Sequence, residues 1–282
     1  MKEFHVLSLG AGWQSTALYL MAMDGDVSVR FDCAIFADTQ GEPKAVYEHL
    51  AWLEAQGGPP IWRRTAGDLG ADLLAGRNST GQRFVSIPAY TRSPDPQERE
   101  GKLRRQCSAE YKVEVVQRAV RRELLGLAPG QRRPDDVRVH EYFGISLDEA
   151  GRAVRIRKRK SEDGLPGEAR FPLIERGMTR WDCHQYNLKR VPHPVPRSAC
   201  VFCPLHSDVE WNRMKREQPE EFAVAVRLDE RLREPGGMLQ RTTIAHQVYL
   251  HRSCVPLGEV AFTDLRQGEF GFARECEGVC GV

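Results

Sequence analysis

The sequence lacks any long apolar segment. Its longest strongly apolar stretch, residues 16–23, is far shorter than the roughly 20 residues that a membrane-spanning helix needs. The first nine residues also lack the apolar core of a secretory signal peptide. We therefore expect a cytoplasmic protein with no membrane partner.

A strong net charge is also missing. The formal net charge of +2 singles out neither nucleic acid nor membrane as a partner. The charge is uneven, however, because residues 102–160 carry sixteen Lys or Arg against eight Asp or Glu. This basic middle favours a phosphate-rich ligand, with tRNA or DNA as candidate partners, and a solvated surface with scattered arginines is the alternative.

The sequence has no internal repeat, and strand and helix patterns alternate along its first half. Apolar strands are predicted at residues 4–9, 33–37, 61–63 and 139–145, and helices at residues 16–23, 43–52, 68–74 and 108–125. This alternation predicts an α/β fold with a doubly wound, mainly parallel sheet that the strand at 139–145 closes. We expect a nucleotide-binding domain over residues 1–195 and a helical, Cys-containing appendage over residues 196–282.

A glycine-rich turn follows the first strand and precedes a helix. Gly10 and Gly12 would adopt positive φ and let the backbone approach a ligand, and Ser15 would offer a hydroxyl and backbone N–H groups to an anion. Asp38 and Thr39 end the second strand, where a doubly wound sheet places ribose, base or metal contacts. The two strand ends together predict a phosphate-binding site.

Eight cysteines in a cytosolic chain indicate metal or redox chemistry rather than disulfides. Cys200 and Cys203 form a turn whose spacing suits zinc, an iron–sulfur cluster or a redox pair. Cys33 and Cys254 sit among apolar neighbours and are predicted to be small buried residues.

Other segments carry weaker patterns. Residues 76–102 are predicted to form a long loop over the site, and residues 155–160 an edge strand or hairpin whose cations could grip nucleic-acid phosphates. Helical spacing of Val113, Val116, Val120 and Leu124 predicts one buried stripe. Trp181 and Trp211 are predicted to pack in the core, whereas Trp13 could cover a nucleotide.

Five segments in order resemble the phosphoadenosine phosphosulfate (PAPS) reductase-like proteins of the adenine nucleotide α-hydrolase (PP-loop) superfamily. The similar segments are residues 10–18, 36–43, 105–114, 144–152 and 171–182. Four positions depart from the family patterns. Gly10 and Gln14 stand where ATP-splitting relatives carry Ser and Asp. Gln106 stands at the first of two adjacent cysteines, and Ser146 stands in place of an arginine.

The resemblance implies an adenine nucleotide, ATP or PAPS, as the ligand. The nucleotide-binding residues that we predict on this basis are Ser8, Gly10, Ala11, Gly12, Trp13, Gln14, Ser15, Asp38, Thr39 and Gly144. Asp38 would hold ribose or metal, and Asp148 or Glu149 would aid Mg²⁺ binding. Because Gln14 is neutral, it removes a carboxylate that could organise Mg²⁺, so the use of this ion stays open.

The resemblance also implies that Cys107 joins Cys200 and Cys203 at a [4Fe–4S] cluster. Cys276, Cys280 and Cys183 are the candidates for the fourth ligand, and an open iron able to hold sulfide is a further alternative. Zinc at Cys107, Cys200, Cys203 and His206 is the structural alternative to a cluster. Cys276 is also the candidate nucleophile, because the tail faintly resembles the reductase terminus.

Three functions follow from these residues. The first is an ATP-dependent enzyme that adenylates a target, expected to be nucleic acid, for sulfur transfer, with Asp38 and Glu149 at its site and a separate sulfur donor. The second is a thiol-dependent reductase of PAPS or its non-phosphorylated analogue, with Cys276 as nucleophile and a thiol reductant protein as partner. The third is a nucleotide-binding or nucleic-acid-binding module without catalysis. A homodimer is the expected assembly.

Overall fold

The alternation of strands and helices extends through most of the chain. The computed structural model describes residues 2–82, 85–95, 97, 100–162, 168–234 and 246–262. The strands are β1 (Lys2–Ser8), β2 (Cys33–Asp38), β3 (Ile61–Thr65), β4 (Tyr90–Arg92), β5 (Gly101–Lys102), β6 (Val137–Phe143), β7 (Glu168–Arg170) and β8 (Gln247–Tyr249). The helices are α1 (Trp13–Asp24), α2 (Lys44–Glu54), α3 (Leu69–Leu74), α4 (Glu114–Ala119), α5 (Ala150–Glu162), α6 (Pro172–Glu175), α7 (Arg180–Arg190), α8 (Asp208–Glu217) and α9 (Pro219–Arg231).

The main sheet has five strands in the order β3-β2-β1-β6-β7, and every pairing is parallel. The predicted α/β class and parallel sheet are confirmed. The prediction that the strand at 139–145 closes the sheet is wrong, because β7 pairs with β6 on its outer side. No helix in the described part of the chain is long and apolar enough to cross a membrane.

The strand order reverses direction at β1. The chain builds β1, β2 and β3 outward on one side and then crosses to place β6 on the other side of β1. Ser8 at the end of β1 is level with Ile35 of β2 and Phe143 of β6. In folds with such a reversal, the carboxyl edge of the sheet at this point is the usual ligand crevice.

Alternating side chains bury both faces of this sheet. Leu7 and Phe36 face a cluster formed with α1, α2 and α7. Val6 and Ile35 face the opposite cluster, which contains Val116 and Val120 from the helix that includes α4. Because helices cover both faces, the central strand β2 is buried along nearly its whole length, as its nearly continuous apolar sequence predicts.

The helix around α4 has π-helical turns at both ends, Ala109–Val113 and Val120–Leu124. Each π turn adds a residue to the helical repeat and shifts the buried stripe. Val116 and Val120 are buried as predicted, whereas Val113 and Leu124 are only half-buried.

The basic segment at residues 155–160 is helical, so the predicted edge strand or hairpin is wrong. These residues lie within α5, whose buried positions Ala153, Ile156 and Lys160 follow helical spacing. Ala153 and Ile156 pack against Phe143 and Phe171. Lys160 is buried because its ammonium pairs with the buried Glu141 carboxylate.

The C-terminal region contains α8 and α9, in agreement with the helices predicted for residues 196–282. It also contributes β8, which pairs antiparallel with β4, whereas β5 lines the other side of β4. The predicted loop at residues 76–102 therefore includes two short strands, and the appendage is not purely helical. Trp211, Cys33 and Cys254 are buried as predicted. The domain boundary at residue 195 stays a prediction.

Candidate functional site

The turn after β1 exposes the N-terminus of α1. Gly12 precedes this helix with an extended backbone and no side-chain cap, and no acidic side chain lies in its first turn. Ser15 Oγ donates to the Gly12 carbonyl at 3.3 Å. The N–H groups of the first turn have no partners within the helix and carry partial positive charge, so they can bind an anion.

The left-handed residue of the turn is Ala11, with φ of 57°. The prediction of positive φ at Gly10 and Gly12 is wrong, because Gly12 has φ of −95° and Gly10 is not among the positive-φ residues. A left-handed alanine carries strain that the surrounding structure must hold, and such strain is typical of functional turns. Packing within the described residues does not require glycine at position 12, because a Cβ there would meet nothing within 4 Å.

Gly144, which follows β6, packs directly on this turn. A Cβ at Gly144 would lie 2.5 Å from the backbone nitrogen of Ser15 and 2.6 Å from its Cα. Glycine is therefore required by close approach of two backbones. The structure brings Gly144 to the predicted phosphate turn, on the β6 side of the crevice.

The side chain of Gln14 binds the loop after β6. Its amide nitrogen donates to Glu149 Oε2 at 2.7 Å, and Arg152 donates to Glu149 Oε1 at 2.6 Å. Both carboxylate oxygens of Glu149 thus have donors. Asp148 accepts a hydrogen bond from the backbone N–H of Arg180 at 2.9 Å, which holds the start of α7 beside this loop.

Three guanidinium groups lie close together at this end of the sheet. Arg180 is 6% exposed, and its guanidinium lies 5.4 Å from the centre of the Trp13 ring. Burial lowers the pKa of Arg180 to about 10; Glu149 and Asp148 oppose this shift, while Arg197 and Arg152 add to it. Arg180 therefore keeps its charge at neutral pH. Because Arg152 pairs with Glu149 and Arg197 pairs with Glu210, we expect Arg180 to be the arginine of this group that binds an anionic ligand.

Trp13 is the first residue of α1. Its indole N–H donates to the Val195 carbonyl at 3.0 Å, and its ring stacks on His184 with 4.1 Å between centroids. Trp13 is thus held between the phosphate turn and α7. Its predicted role over a nucleotide stays a prediction.

The end of β2 lies on the other side of β1. Asp38 Oδ1 accepts hydrogen bonds from the Gln40 N–H at 2.7 Å and from the Tyr47 hydroxyl at 2.9 Å. Burial and the Asp38 hydrogen bond raise the pKa of Tyr47, so this tyrosine is a hydrogen-bond donor at neutral pH. Thr39 turns away from Asp38, and its Oγ1 lies 3.1 Å from Cys200 Sγ.

Three of the predicted ligand cysteines line one small cavity of about 30 Å³. Cys107, Cys200 and Cys203 are joined there by Thr39, Arg105 and Lys112. The Cys107 N–H donates to the Ser86 carbonyl at 2.7 Å, so the segment at residues 76–102 helps to hold this cysteine. Burial raises the pKa of the Cys200 thiol, Glu42 raises it further, and Lys112 lowers it.

A second cavity of about 10 Å³ lies under the phosphate turn. Ser8, Gly10, Ala37 and Ser198 line it together with Lys112, which therefore borders both cavities. The Lys112 ammonium donates to the buried Glu42 carboxylate at 3.1 Å. One buried ion pair thus separates the nucleotide turn from the thiols.

The other proposed metal ligands do not join this cavity. His206 does not line it, and its Nε2 donates to the Cys200 carbonyl at 2.9 Å. Cys183 is buried in the cluster of α1 and α7 instead. Cys276 and Cys280 lie outside the described residues. Within the described ranges, no group of three His, Cys, Asp or Glu side chains is placed to hold a single metal ion.

Sequence reasoning missed Arg180, Arg197 and Ser198. Arg180 immediately follows the Thr179 that begins the predicted segment at 179–182, so its position next to a helix start was the available signal. Comparisons of the chain with protein-family models, curated proteins and solved structures find no match. The function is therefore argued from these residues.

Proposed function

We propose that the chain is a PAPS reductase-like enzyme of sulfur transfer that binds ATP at Gly10–Ser15 and adenylates a nucleic-acid acceptor. The observation that carries this proposal is the placement of Lys112 between the cavity under the phosphate turn and the three-thiol cavity. A nucleotide site beside a cluster of thiols favours sulfur chemistry on a nucleotide-activated group.

The reaction needs few groups from the protein. An acceptor oxygen attacks the α-phosphorus of ATP, the bond to the bridging oxygen breaks, and pyrophosphate leaves with the electron pair. A sulfur nucleophile from the donor then displaces AMP from the acceptor. The N-terminus of α1 and the guanidinium groups of Arg180 and Arg152 would stabilise the charge on the departing pyrophosphate.

The predicted role of Glu149 in Mg²⁺ binding is not supported. Both oxygens of Glu149 already accept hydrogen bonds from Gln14 and Arg152, so Glu149 does not fit as a metal ligand in this arrangement. Arginine side chains supply positive charge in place of a metal ion. No step is therefore assigned to protein-bound Mg²⁺, and Glu149 is proposed to position Gln14 and Arg152.

We propose that the thiols hold a [4Fe–4S] cluster rather than zinc. A single zinc ion requires about four donors around one point, and His206, the predicted fourth donor, does not line the cavity of the three thiols. Cys107, Cys200 and Cys203 line one largely apolar cavity, and they would hold the cluster. When bound, such a cluster can supply an iron atom that carries sulfide.

The arginines also favour a second candidate, a thiol-dependent reductase of PAPS. Gln14 and the arginine group suit a ligand whose anionic charge is bound without metal. In that reaction the Cys276 thiolate attacks the sulfur of PAPS, the sulfur–oxygen bond breaks and the adenosine bisphosphate leaves. A second thiol from the reductant then releases sulfite from Cys276.

Product analysis separates the candidates. The protein is purified without oxygen and incubated with ATP and nucleic acid, or with PAPS and a thiol reductant. We expect pyrophosphate from ATP, whereas sulfite from PAPS would favour the reductase. Nucleotide binding with neither product would overturn both reactions and leave a binding module.

Replacement of a predicted cluster ligand should remove iron. We expect Cys200→Ser to lower the iron content of the anaerobic protein by more than half and to reduce absorption near 400 nm, because serine oxygen is a poor cluster ligand. Cys254→Ser is the matched control, because Cys254 is buried elsewhere and should leave iron unchanged. Equal iron in both variants, or a wild-type protein without iron, would contradict the cluster.

A further inference from the structure

Trp181 is a large aromatic residue at the surface beside the nucleotide turn. It is 51% exposed, so the predicted packing role is wrong. Its position on the first turn of α7 follows from the capping box of Thr179 and Asp182, which fixes the start of this helix. A single exposed aromatic residue is common at protein surfaces, so its surroundings decide whether it has a role.

A ladder of three rings connects Trp181 to the phosphate turn. Its ring lies 5.3 Å from that of His184, and His184 stacks on Trp13 at 4.1 Å. Trp13 is in turn fixed by its bond to Val195. The Trp181 ring is tilted by 47° against the His184 ring, so the three rings form a continuous aromatic contact. A flat group placed on Trp181 would lie a few ring widths from the nucleotide site.

A row of arginines on α5 begins near the start of α7. Asp148 binds the backbone of Arg180, and α5 begins two residues after Asp148, so the first turns of α5 and α7 are neighbours. Arg152, Arg155 and Arg159 recur at i, i+3 and i+7 and share one face of α5. Arg152 reaches Glu149 at the crevice, and Arg155 is exposed further along.

We propose that Trp181 and this arginine row bind a single-stranded nucleic acid, with an unpaired base stacked on the Trp181 indole. This inference deepens the proposed function and rests on it, because it specifies the acceptor as a strand with unpaired bases. The indole offers a sequence-tolerant stacking surface, and arginines spaced along a helix match the repeated phosphates of a backbone. The Trp181 face, as we define it, comprises Trp181, Arg152, Arg155 and Arg159.

Helical rise gives the scale of the Trp181 face. Arg152 and Arg159 are seven residues apart, which corresponds to roughly 10 Å along α5. Two or three phosphates of an extended strand can span that length while the adjacent base reaches the indole. A duplex buries its bases between strands, so it would meet the arginines without using Trp181.

Fluorescence anisotropy with a labelled strand of about 16 nucleotides, as DNA or RNA, tests the inference. We expect Trp181→Ala to weaken single-strand binding by roughly 5- to 150-fold, the range for loss of one stacked base. Trp181→Phe should recover part of the affinity. Leu188→Ala, which removes an exposed apolar side chain roughly 10 Å further along α7, is the matched control.

The salt dependence supplies a readout that a structural defect would not reproduce. Arg155→Gln should weaken binding and reduce the slope of log affinity against log salt by about 1, whereas Trp181→Ala should leave that slope unchanged. Equal affinity of wild type and Trp181→Ala, or equal affinity for duplex and single strand, would overturn the inference.

The two proposals can fail separately. Wild-type protein that binds ATP but no oligonucleotide would overturn this inference alone. Protein that binds the single strand through Trp181 but neither binds nor turns over ATP would overturn the proposed function and show that the Trp181 face acts in another reaction.

Discussion

Gly144→Ala is expected to destabilise the protein by about 3 kcal/mol and to weaken ATP binding by at least tenfold. The added Cβ would lie 2.5 Å from the Ser15 nitrogen, and backbone atoms cannot rotate away as a side chain can. The loop after β6 must therefore separate from the phosphate turn. Chemical denaturation and isothermal titration with ATP measure the two effects.

Gly12→Ala provides the control for folding. A Cβ at Gly12 would meet nothing within 4 Å, and its backbone is extended, so we expect the free energy of unfolding to change by less than about 1 kcal/mol. If Gly144→Ala were as stable as Gly12→Ala and bound ATP like the wild type, the close packing of Gly144 on the turn would be refuted.

Arg180→Ala is expected to weaken ATP binding by roughly 10- to 150-fold, which corresponds to one charge-assisted hydrogen bond of about 1.5–3 kcal/mol. The buried guanidinium lies beside Trp13 and within the electrostatic reach of Arg152 and Arg197. Its loss also leaves Asp148 and Glu149 with less compensating charge, which further disfavours an anion.

Arg190→Ala is the matched control for Arg180→Ala. Arg190 lies at the other end of α7 and pairs with Asp24 at 2.7 Å, away from the phosphate turn. We expect its removal to leave the ATP dissociation constant within about twofold of wild type, because a surface ion pair contributes little. Comparable losses in the two variants would mean that α7, rather than the Arg180 charge, determines binding.

The sequence predicts the part of the fold that has strong local signals. β1, the turn at Gly10–Ser15 and α1 form a continuous pattern of apolar strand, glycines and helix, and all three are present. The cysteines were placed together only through the family resemblance, and the structure brings Cys107, Cys200 and Cys203 to one cavity. That these thiols bind metal stays a prediction.

The segment at residues 155–160 shows how a local pattern can mislead. Val154 and Ile156 alternate with cations as in an edge strand, but they occupy different faces of α5. Val154 is 65% exposed and Ile156 is 7% exposed. The tertiary contact of Ile156 with the cluster around Phe171 decides the structure, and a two-residue alternation contains no information about that contact.

Arg180 and Trp181 could not be placed from the sequence for a related reason. Their roles depend on the approach of α7 to the loop after β6, which the Asp148 contact with the Arg180 backbone maintains. No spacing within α7 encodes that approach. Similarly, the left-handed conformation falls on Ala11 because the geometry of the whole turn, rather than glycine preference, determines it.

Isothermal titration of ATP into the wild-type protein and into Gly12→Val tests the central claim that the Gly10–Ser15 turn binds the nucleotide. A Cβ at Gly12 meets nothing within 4 Å, so the valine side chain would extend into the open space where the phosphates are expected. We predict saturable one-to-one binding to the wild type and at least a tenfold loss in Gly12→Val, with thermal unfolding nearly unchanged. Equal ATP binding by both proteins, or no binding by the wild type, would contradict the claim.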